Sequence, residues 1–139
     1  MKFFIGSLFI LLSLSVSAQS SIFGKWKTID DKTGNEKSIV EVYEKDGKVY
    51  GKIVQLLDKS KGEDPLCEPC PGDRKNQPVV GLQVIDGLTQ DGDEWSGSKI
   101  LDPENGKQYT CKIWLEDGNL KVRGYIAFLY RTQTWYRVE

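Results

Sequence analysis

The feature that most constrains this chain is a repeated turn signal. Four Asp-Gly or Asn-Gly pairs, at Asp46-Gly47, Asp91-Gly92, Asn105-Gly106 and Asp117-Gly118, separate short runs of residues with high strand propensity. Such pairs favour tight hairpin turns because Gly and Asn adopt positive φ angles at low cost. The repeated signal therefore predicts a meander of antiparallel strands, and it constrains the architecture far more than the activity.

Eight runs of the sequence are predicted to be strands. The clearest cases are Gln108 to Glu116 and Leu120 to Ile126, where apolar and polar side chains alternate. A period of two is typical of a strand with one buried face. The predicted strands are Ile22–Ile29, Ser38–Glu44, Val49–Leu57, Val79–Ile85, Glu94–Leu101, Gln108–Glu116, Leu120–Ile126 and Thr132–Val138.

The number of strands favours a closed sheet. An open eight-stranded sheet has two edges with unpaired backbone groups, whereas a closed barrel has none. We therefore predict an all-β fold, an eight-stranded antiparallel up-and-down β-barrel. The interior of such a barrel is either filled by side chains or able to hold one small ligand. The short strands and many aromatic residues favour a mostly filled interior with a shallow open mouth.

The N-terminal segment has the pattern of a signal peptide. Lys2 precedes an apolar stretch, and Val16-Ser17-Ala18 has small or compact residues at the positions that signal peptidase recognises. We expect removal of residues 1–18, which leaves residues 19–139 as a single β-barrel domain in the periplasm or outside the cell. A retained anchor is the alternative, but the apolar stretch is short for a membrane span. We therefore expect no stable membrane insertion after the leader is removed.

The charge balance and the missing histidines exclude several function classes. Loss of Lys2 with the leader leaves 18 of the 19 basic residues against 20 acidic residues. No basic stripe is present that would bind nucleic acid or anionic lipid. The chain has no His, and therefore lacks the commonest general base, and no Ser lies in a nucleophile elbow. We expect a non-enzymatic protein with no cofactor, no metal and no nucleic-acid partner.

The longest predicted connection, from Asp58 to Pro78, contains two of the three cysteines. In an exported protein, Cys67 and Cys70 are expected to form a structural disulfide that pins this loop. A redox pair is an alternative, but Pro71-Gly72 is a poor start for the helix that would lower a thiol pKa. A zinc site would need about four ligands. Cys111, on the apolar face of its strand, is either a buried free thiol or a disulfide partner of Cys67 or Cys70.

Aromatic and arginine residues are the candidates for ligand contact. Trp26 lies in the first predicted strand, and the first and last strands of a closed barrel are neighbours. An Arg of the last strand, such as Arg131, can therefore stack on Trp26 and seal one end of the barrel. A plain role in the core is the alternative for these residues. The five candidate ligand-binding residues are Trp26, Arg123, Tyr125, Arg131 and Trp135.

Two of these candidates depend on which face of the sheet points inward. Lys112 and Trp114 share one face of their strand, and Arg123 and Tyr125 share a face of the next, so the pairs can be cross-strand neighbours. An inward face would suit an acidic amphipathic ligand. We expect this face to point outward, because the opposite faces are rich in Cys, Ile, Leu and Val and make the better core.

The residues resemble two known families. Gly24-Lys25-Trp26, with an Arg near the C terminus, resembles the lipocalin and fatty-acid-binding superfamily. Much more of the chain is similar to exported bacterial proteins known as uncharacterised domain family 2147. The matching segments are residues 24–28, 47–53, 67–78, 95–97, 100–107, 112–115 and 120–135. This resemblance implies an exported barrel of lipocalin type without an established activity. Tyr130 stands where the family commonly has Gly, so the last turn is expected to differ.

The leading functional hypothesis is a monomeric, non-enzymatic envelope protein. It would bind a small or amphipathic molecule, or an envelope protein partner, through the barrel mouth and the Cys67 to Pro78 loop. One alternative is a thiol redox or metal-handling protein that uses Cys67 and Cys70. Another is a purely structural envelope component without a ligand.

Overall fold

The computed structural model describes Gly6 and residues 21–138; apart from Gly6, the predicted signal peptide lies outside the described residues. Eight strands form a closed barrel in the order β1 to β8, with antiparallel neighbours throughout, which confirms the predicted fold. The strands are β1 Gly24–Ile29, β2 Glu36–Lys45, β3 Lys48–Leu56, β4 Gln83–Asp91, β5 Glu94–Leu101, β6 Gln108–Glu116, β7 Asn119–Ile126 and β8 Leu129–Arg137. A short 3-10 helix spans Gly72–Arg74.

Two of the four predicted pairs, Asp46-Gly47 and Asp117-Gly118, form two-residue hairpin turns, whereas Asp91 is the last residue of β4 and Asn105-Gly106 lies in the longer β5–β6 connection. Asp46 and Gly47 have φ angles of 52° and 76°, and Asp117 and Gly118 have 54° and 79°. Positive φ at both central residues is the requirement of a type I′ turn, which matches the twist of the flanking strands. These turns therefore set the registers of the β2–β3 and β6–β7 hairpins.

The predicted bounds of two strands are wrong. The fourth strand was expected at Val79–Ile85 but spans Gln83–Asp91. Asp86-Gly87 lies inside this strand, where Gly87 has a φ of 64° and the register to β3 shifts. A glycine in this conformation accommodates a bulge, so the strand continues where a turn signal stands in the sequence. The last strand starts at Leu129 instead of Thr132, directly after a two-residue turn that contains no Gly.

The two ends of the barrel differ. The two-residue turns after β2, β4 and β6 lie at one end, which we call the closed end. The connections after β1, β3, β5 and β7 lie at the other, the open end. Fully buried side chains fill the closed half, among them Trp26, Leu88, Ile113 and Leu120. The packed core therefore lies in the closed half of the barrel and supports the side chains at the open end.

The long β3–β4 connection is held in place at the open end. A disulfide joins Cys67 to Cys70, as predicted, and Cys111 is a buried free thiol. The Cys67 amide donates to Gln77, and Arg74 forms an ion pair with Asp86 of β4 at 2.9 Å. The connection is thus fastened both to itself and to the barrel wall. Within residues 21–138 no helix is long and apolar enough to cross a membrane.

Candidate functional site

A cavity of about 940 Å³ opens at the open end of the barrel. Its inner wall is formed by buried apolar side chains, including Val40, Ile53, Val84, Val122 and Trp135. The expected shallow mouth is therefore wrong, because the cavity extends along β7 and β8 as far as Val122 and Trp135. Sequence parity does not reveal this depth, which depends on how the eight strands tilt when they close.

One part of the upper wall carries polar side chains. Thr28 and Ser38 lie on adjacent strands, and their hydroxyl oxygens are 2.7 Å apart. Gly124 of β7 also lines the cavity, and the Tyr109 side chain packs over it, with its Cβ 3.2 Å from where a Cβ of residue 124 would lie. Thr28 and Ser38 therefore place two hydroxyls on one wall near the opening, beside apolar side chains such as Leu56 and Val79.

A chain of hydrogen bonds runs from the cavity wall to the rim. The Trp135 indole N–H donates to Gln133 Oε1 at 3.2 Å, and Gln133 Nε2 donates to Asp31 Oδ2 at 2.8 Å. The guanidinium of Arg131 is 3.8 Å from the same carboxylate oxygen. These contacts connect β8 to the β1–β2 connection, so they orient the polar groups on this side of the mouth.

The rim carries both signs of charge. Lys37 forms an ion pair of 3.0 Å with Glu104. A hydrogen bond from the Ser60 backbone N–H lowers the pKa of Asp58, so this rim carboxylate is ionised at neutral pH. The charged residues that line the mouth are Lys37, Lys61, Arg131, Asp58, Glu68, Asp102 and Glu104. Three positive and four negative groups give no strong selection for an acidic ligand.

The five predicted ligand-binding residues lie in three different places. Trp135 and Arg131 line the cavity, at its wall and its rim. Trp26 is fully buried in the closed half and is not among the cavity-lining residues. Arg123 and Tyr125 alternate with the inward-facing Val122, so they lie on the outer face of the barrel. A ligand inside the cavity is therefore adjacent to only two of the five.

The arginine that stacks on Trp26 is Arg137, and the expectation of Arg131 is wrong. The Arg137 guanidinium carbon is 4.1 Å from the centroid of the Trp26 ring. The register of β1 and β8 places Arg137 directly opposite Trp26, whereas Arg131 lies six residues away toward the open end. Arg137 also donates to the backbone oxygens of Ser21 and Phe23, which ties the start of the barrel to its last strand.

The outer face of β6, β7 and β8 carries an aromatic cluster around Arg123. The guanidinium carbon is 4.9 Å from the Trp114 ring and 4.3 Å from the Tyr130 ring. Nε donates to the Thr132 hydroxyl at 2.8 Å, and a hydrogen bond to Tyr125 raises the pKa of Arg123. The outward orientation agrees with the parity argument. The inclusion of Tyr130 follows from strand pairing, which the sequence alone did not reveal.

Comparison with known proteins gives a family and a fold. The family model described as an uncharacterised protein conserved in bacteria, domain of unknown function 2147, matches residues 24–137, and the chain belongs to this family. A solved structure, protein HP1028 from the human pathogen Helicobacter pylori, described as belonging to the lipocalin family, is similar with a TM-score of 0.74. Sequence identity is 21%, over 86% of this chain and 84% of that one. No curated protein matches the chain.

Proposed function

We propose that this member of the family is a non-enzymatic protein that binds one small amphipathic molecule in the barrel cavity. The observation that carries the proposal is the open cavity of about 940 Å³, which is within the range of small-molecule sites. Val40, Ile53 and Val122 provide an apolar inner wall for a hydrocarbon group. The ligand therefore enters with its apolar part first.

The polar part of the ligand lies at the level of Thr28 and Ser38. These hydroxyls are bonded to each other, and each has further capacity to donate or accept. The charges of the rim nearly cancel, which favours a neutral head group over a strongly acidic one. A hydroxyl, amide or ester head group fits this environment best, and the earlier idea of an acidic ligand loses its basis because Arg123 faces outward.

The site of action is proposed to be the periplasm or the exterior of the cell, with residues 1–18 removed as a signal peptide. The disulfide between Cys67 and Cys70 supports export, because such bonds persist in oxidising compartments. N-terminal sequencing of the protein isolated from its own cells tests this assignment. The expected first residue is Gln19, and an intact N terminus would contradict export by this route.

The redox and metal-handling alternatives have less support. Cys67 and Cys70 are 1% and 2% exposed, so an external thiol reaches the disulfide only if the loop opens. Among residues 21–138, no group of three or more Cys, Asp or Glu side chains is arranged to hold a metal ion. The cavity therefore remains the stronger basis for a function than the cysteine pair.

Two measurements test cavity binding. Native mass spectrometry of the protein purified from its own cells is expected to show a retained organic molecule. Titration with a fluorescent long-chain alcohol is expected to give saturable binding. The paired substitution Thr28→Val and Ser38→Ala removes both hydroxyls of the hydrogen-bonded pair. No buried hydroxyl is then left without a partner, so the fold should persist.

The paired variant is expected to bind the alcohol about fivefold more weakly, which corresponds to one hydrogen bond of about 1 kcal/mol. Thr132→Val, on the outer face, is the matched control and should bind like the wild type. Absence of both a retained mass and saturable probe binding would reject cavity binding. The protein would then be assigned to the structural class or to a protein partner.

A further inference from the structure

The most exposed apolar surface of the barrel is the turn between β7 and β8. Phe128 is 87% exposed, Leu129 65%, Tyr130 61% and Ile126 54%. We call residues 126–130 the apolar tip. Contiguous exposed apolar side chains on a soluble domain mark an interaction surface. Ile126, Leu129 and Tyr130 also line the cavity, so the apolar tip lies at its opening.

The apolar tip departs from the turn chemistry of the rest of the chain. The turns at Asp46-Gly47 and Asp117-Gly118 use residues that accept positive φ angles readily. The β7–β8 turn has Ala127-Phe128 instead, and Ala127 has a φ of 53°. A Cβ in this conformation is unfavourable. A turn that breaks a local rule without benefit to folding points to a functional requirement for its apolar residues.

The hairpin that carries the tip is also charged differently from the rest of the chain. The chain has a net charge of −1, yet the residues from Asn119 to Val138 contain no Asp or Glu. They contain four cations, Lys121, Arg123, Arg131 and Arg137. Arg123 and Arg131 flank the apolar tip, whereas Lys121 and Arg137 lie toward the closed end. Asp31 is 3.8 Å from Arg131, and Glu94 of β5 acts electrostatically on Arg123. This segregation was hidden in the overall charge balance.

We propose that the β7–β8 hairpin docks the barrel reversibly on an anionic phospholipid bilayer. Phe128 and Leu129 insert into the interfacial region, and Tyr130 lies at the level of the head groups. Arg123 and Arg131 contact the phosphates, which explains why acidic residues are absent from this segment. Docking is through the hairpin alone, because the rest of the rim carries the carboxylates of Asp58, Glu68, Asp102 and Glu104. It does not require that the cavity binds a ligand.

Sedimentation with vesicles tests the proposal. The protein is expected to bind vesicles of phosphatidylcholine that contain phosphatidylglycerol, and to bind pure phosphatidylcholine much more weakly. Phe128→Ser should weaken binding to the anionic vesicles about tenfold, because one large apolar side chain is no longer buried. Tyr136→Ser is the matched control, since this partly exposed aromatic lies at the closed end of the same hairpin.

The charges are tested with Arg123→Gln and Arg131→Gln. Each should weaken binding to the anionic vesicles about fivefold and reduce the preference over neutral vesicles. Lys48→Gln, at the closed end, should bind as the wild type does. Circular dichroism of each variant establishes that the barrel is folded.

Four results would overturn the proposal. One is failure of the folded wild type to bind anionic vesicles. A second is equal binding by Phe128→Ser. The third is self-association that Phe128→Ser abolishes without any vesicle binding, which would assign the apolar tip to a second copy of the chain. Equal binding to neutral and anionic vesicles would overturn the anionic assignment. None of these results bears on cavity binding, which is measured without vesicles.

Discussion

Replacement of Trp26 by Ala tests how the closed end of the barrel is sealed. Trp26 is fully buried, its indole N–H donates to the Ile22 carbonyl at 2.8 Å, and Arg137 covers its ring at 4.1 Å. Truncation of a buried Trp costs about 3–5 kcal/mol. The unpartnered Ile22 carbonyl adds about 1 kcal/mol. The expected loss of about 4–6 kcal/mol is a large part of the 5–15 kcal/mol that is typical of small domains.

Urea unfolding followed by circular dichroism measures this loss. Trp114→Ala is the matched control, because Trp114 lies on the outer face and its loss leaves no internal cavity. Its free energy of unfolding is expected to fall by about 1 kcal/mol. A double-mutant cycle of Trp26→Phe with Arg137→Met should give a coupling energy of about 0.5–1 kcal/mol for the stacked pair. If the free energy of unfolding of Trp26→Ala lies within about 1 kcal/mol of the wild-type value, the closed end is not sealed by this side chain.

Three further predictions concern the cysteines and one inward-facing glycine. Thiol counting on denatured, unreduced protein should find one free thiol, Cys111, and three would contradict the disulfide between Cys67 and Cys70. Burial raises the pKa of Cys111 from 9.0 to about 12, so the unfolded chain loses this proton first as the pH rises. The stability of the wild type should therefore fall between pH 9 and 12 relative to Cys111→Ala, and parallel urea midpoints would refute this. Gly51→Ala would place a Cβ 3.0 Å from Ile85 Cδ1. It should cost about 1–3 kcal/mol, and Ile85→Val should recover part of that loss in urea unfolding.

The parts of the fold that could be predicted from sequence are those with local causes. Asp46-Gly47 and Asp117-Gly118 identify two hairpins because the turn conformation itself requires such residues. Alternation in β6 places Cys111 inside and Trp114 outside, and both positions agree with the structure. Closure then follows from the number of strands. Each of these inferences depends on neighbours in sequence, and none needs a distance between distant residues.

The parts that could not be predicted depend on register between distant strands. The same Asp-Gly signal forms a turn at Asp46-Gly47 and a bulge at Asp86-Gly87. The second site is a bulge because β3 forms strand pairs with residues on both sides of Asp86-Gly87. Arg137 reaches Trp26 through the pairing of β1 with β8, which only closure establishes. The sequence therefore predicted the stacking of an arginine on Trp26 but assigned it to the wrong arginine.

The same limit applies to charge. A count over the whole chain gives nearly equal numbers of acidic and basic residues, and the sequence therefore predicts no binding of anionic lipid. The proposed docking instead rests on the β7–β8 hairpin, in which Arg123 and Arg131 flank the most exposed apolar side chains of residues 21–138 and no acid is present. Electrostatic attraction at a surface depends on charges within about a Debye length, roughly 8–10 Å, and not on the sum over the molecule. The relevant unit for predicting a partner is therefore the hairpin, whose limits become known only when strand order and exposure are known.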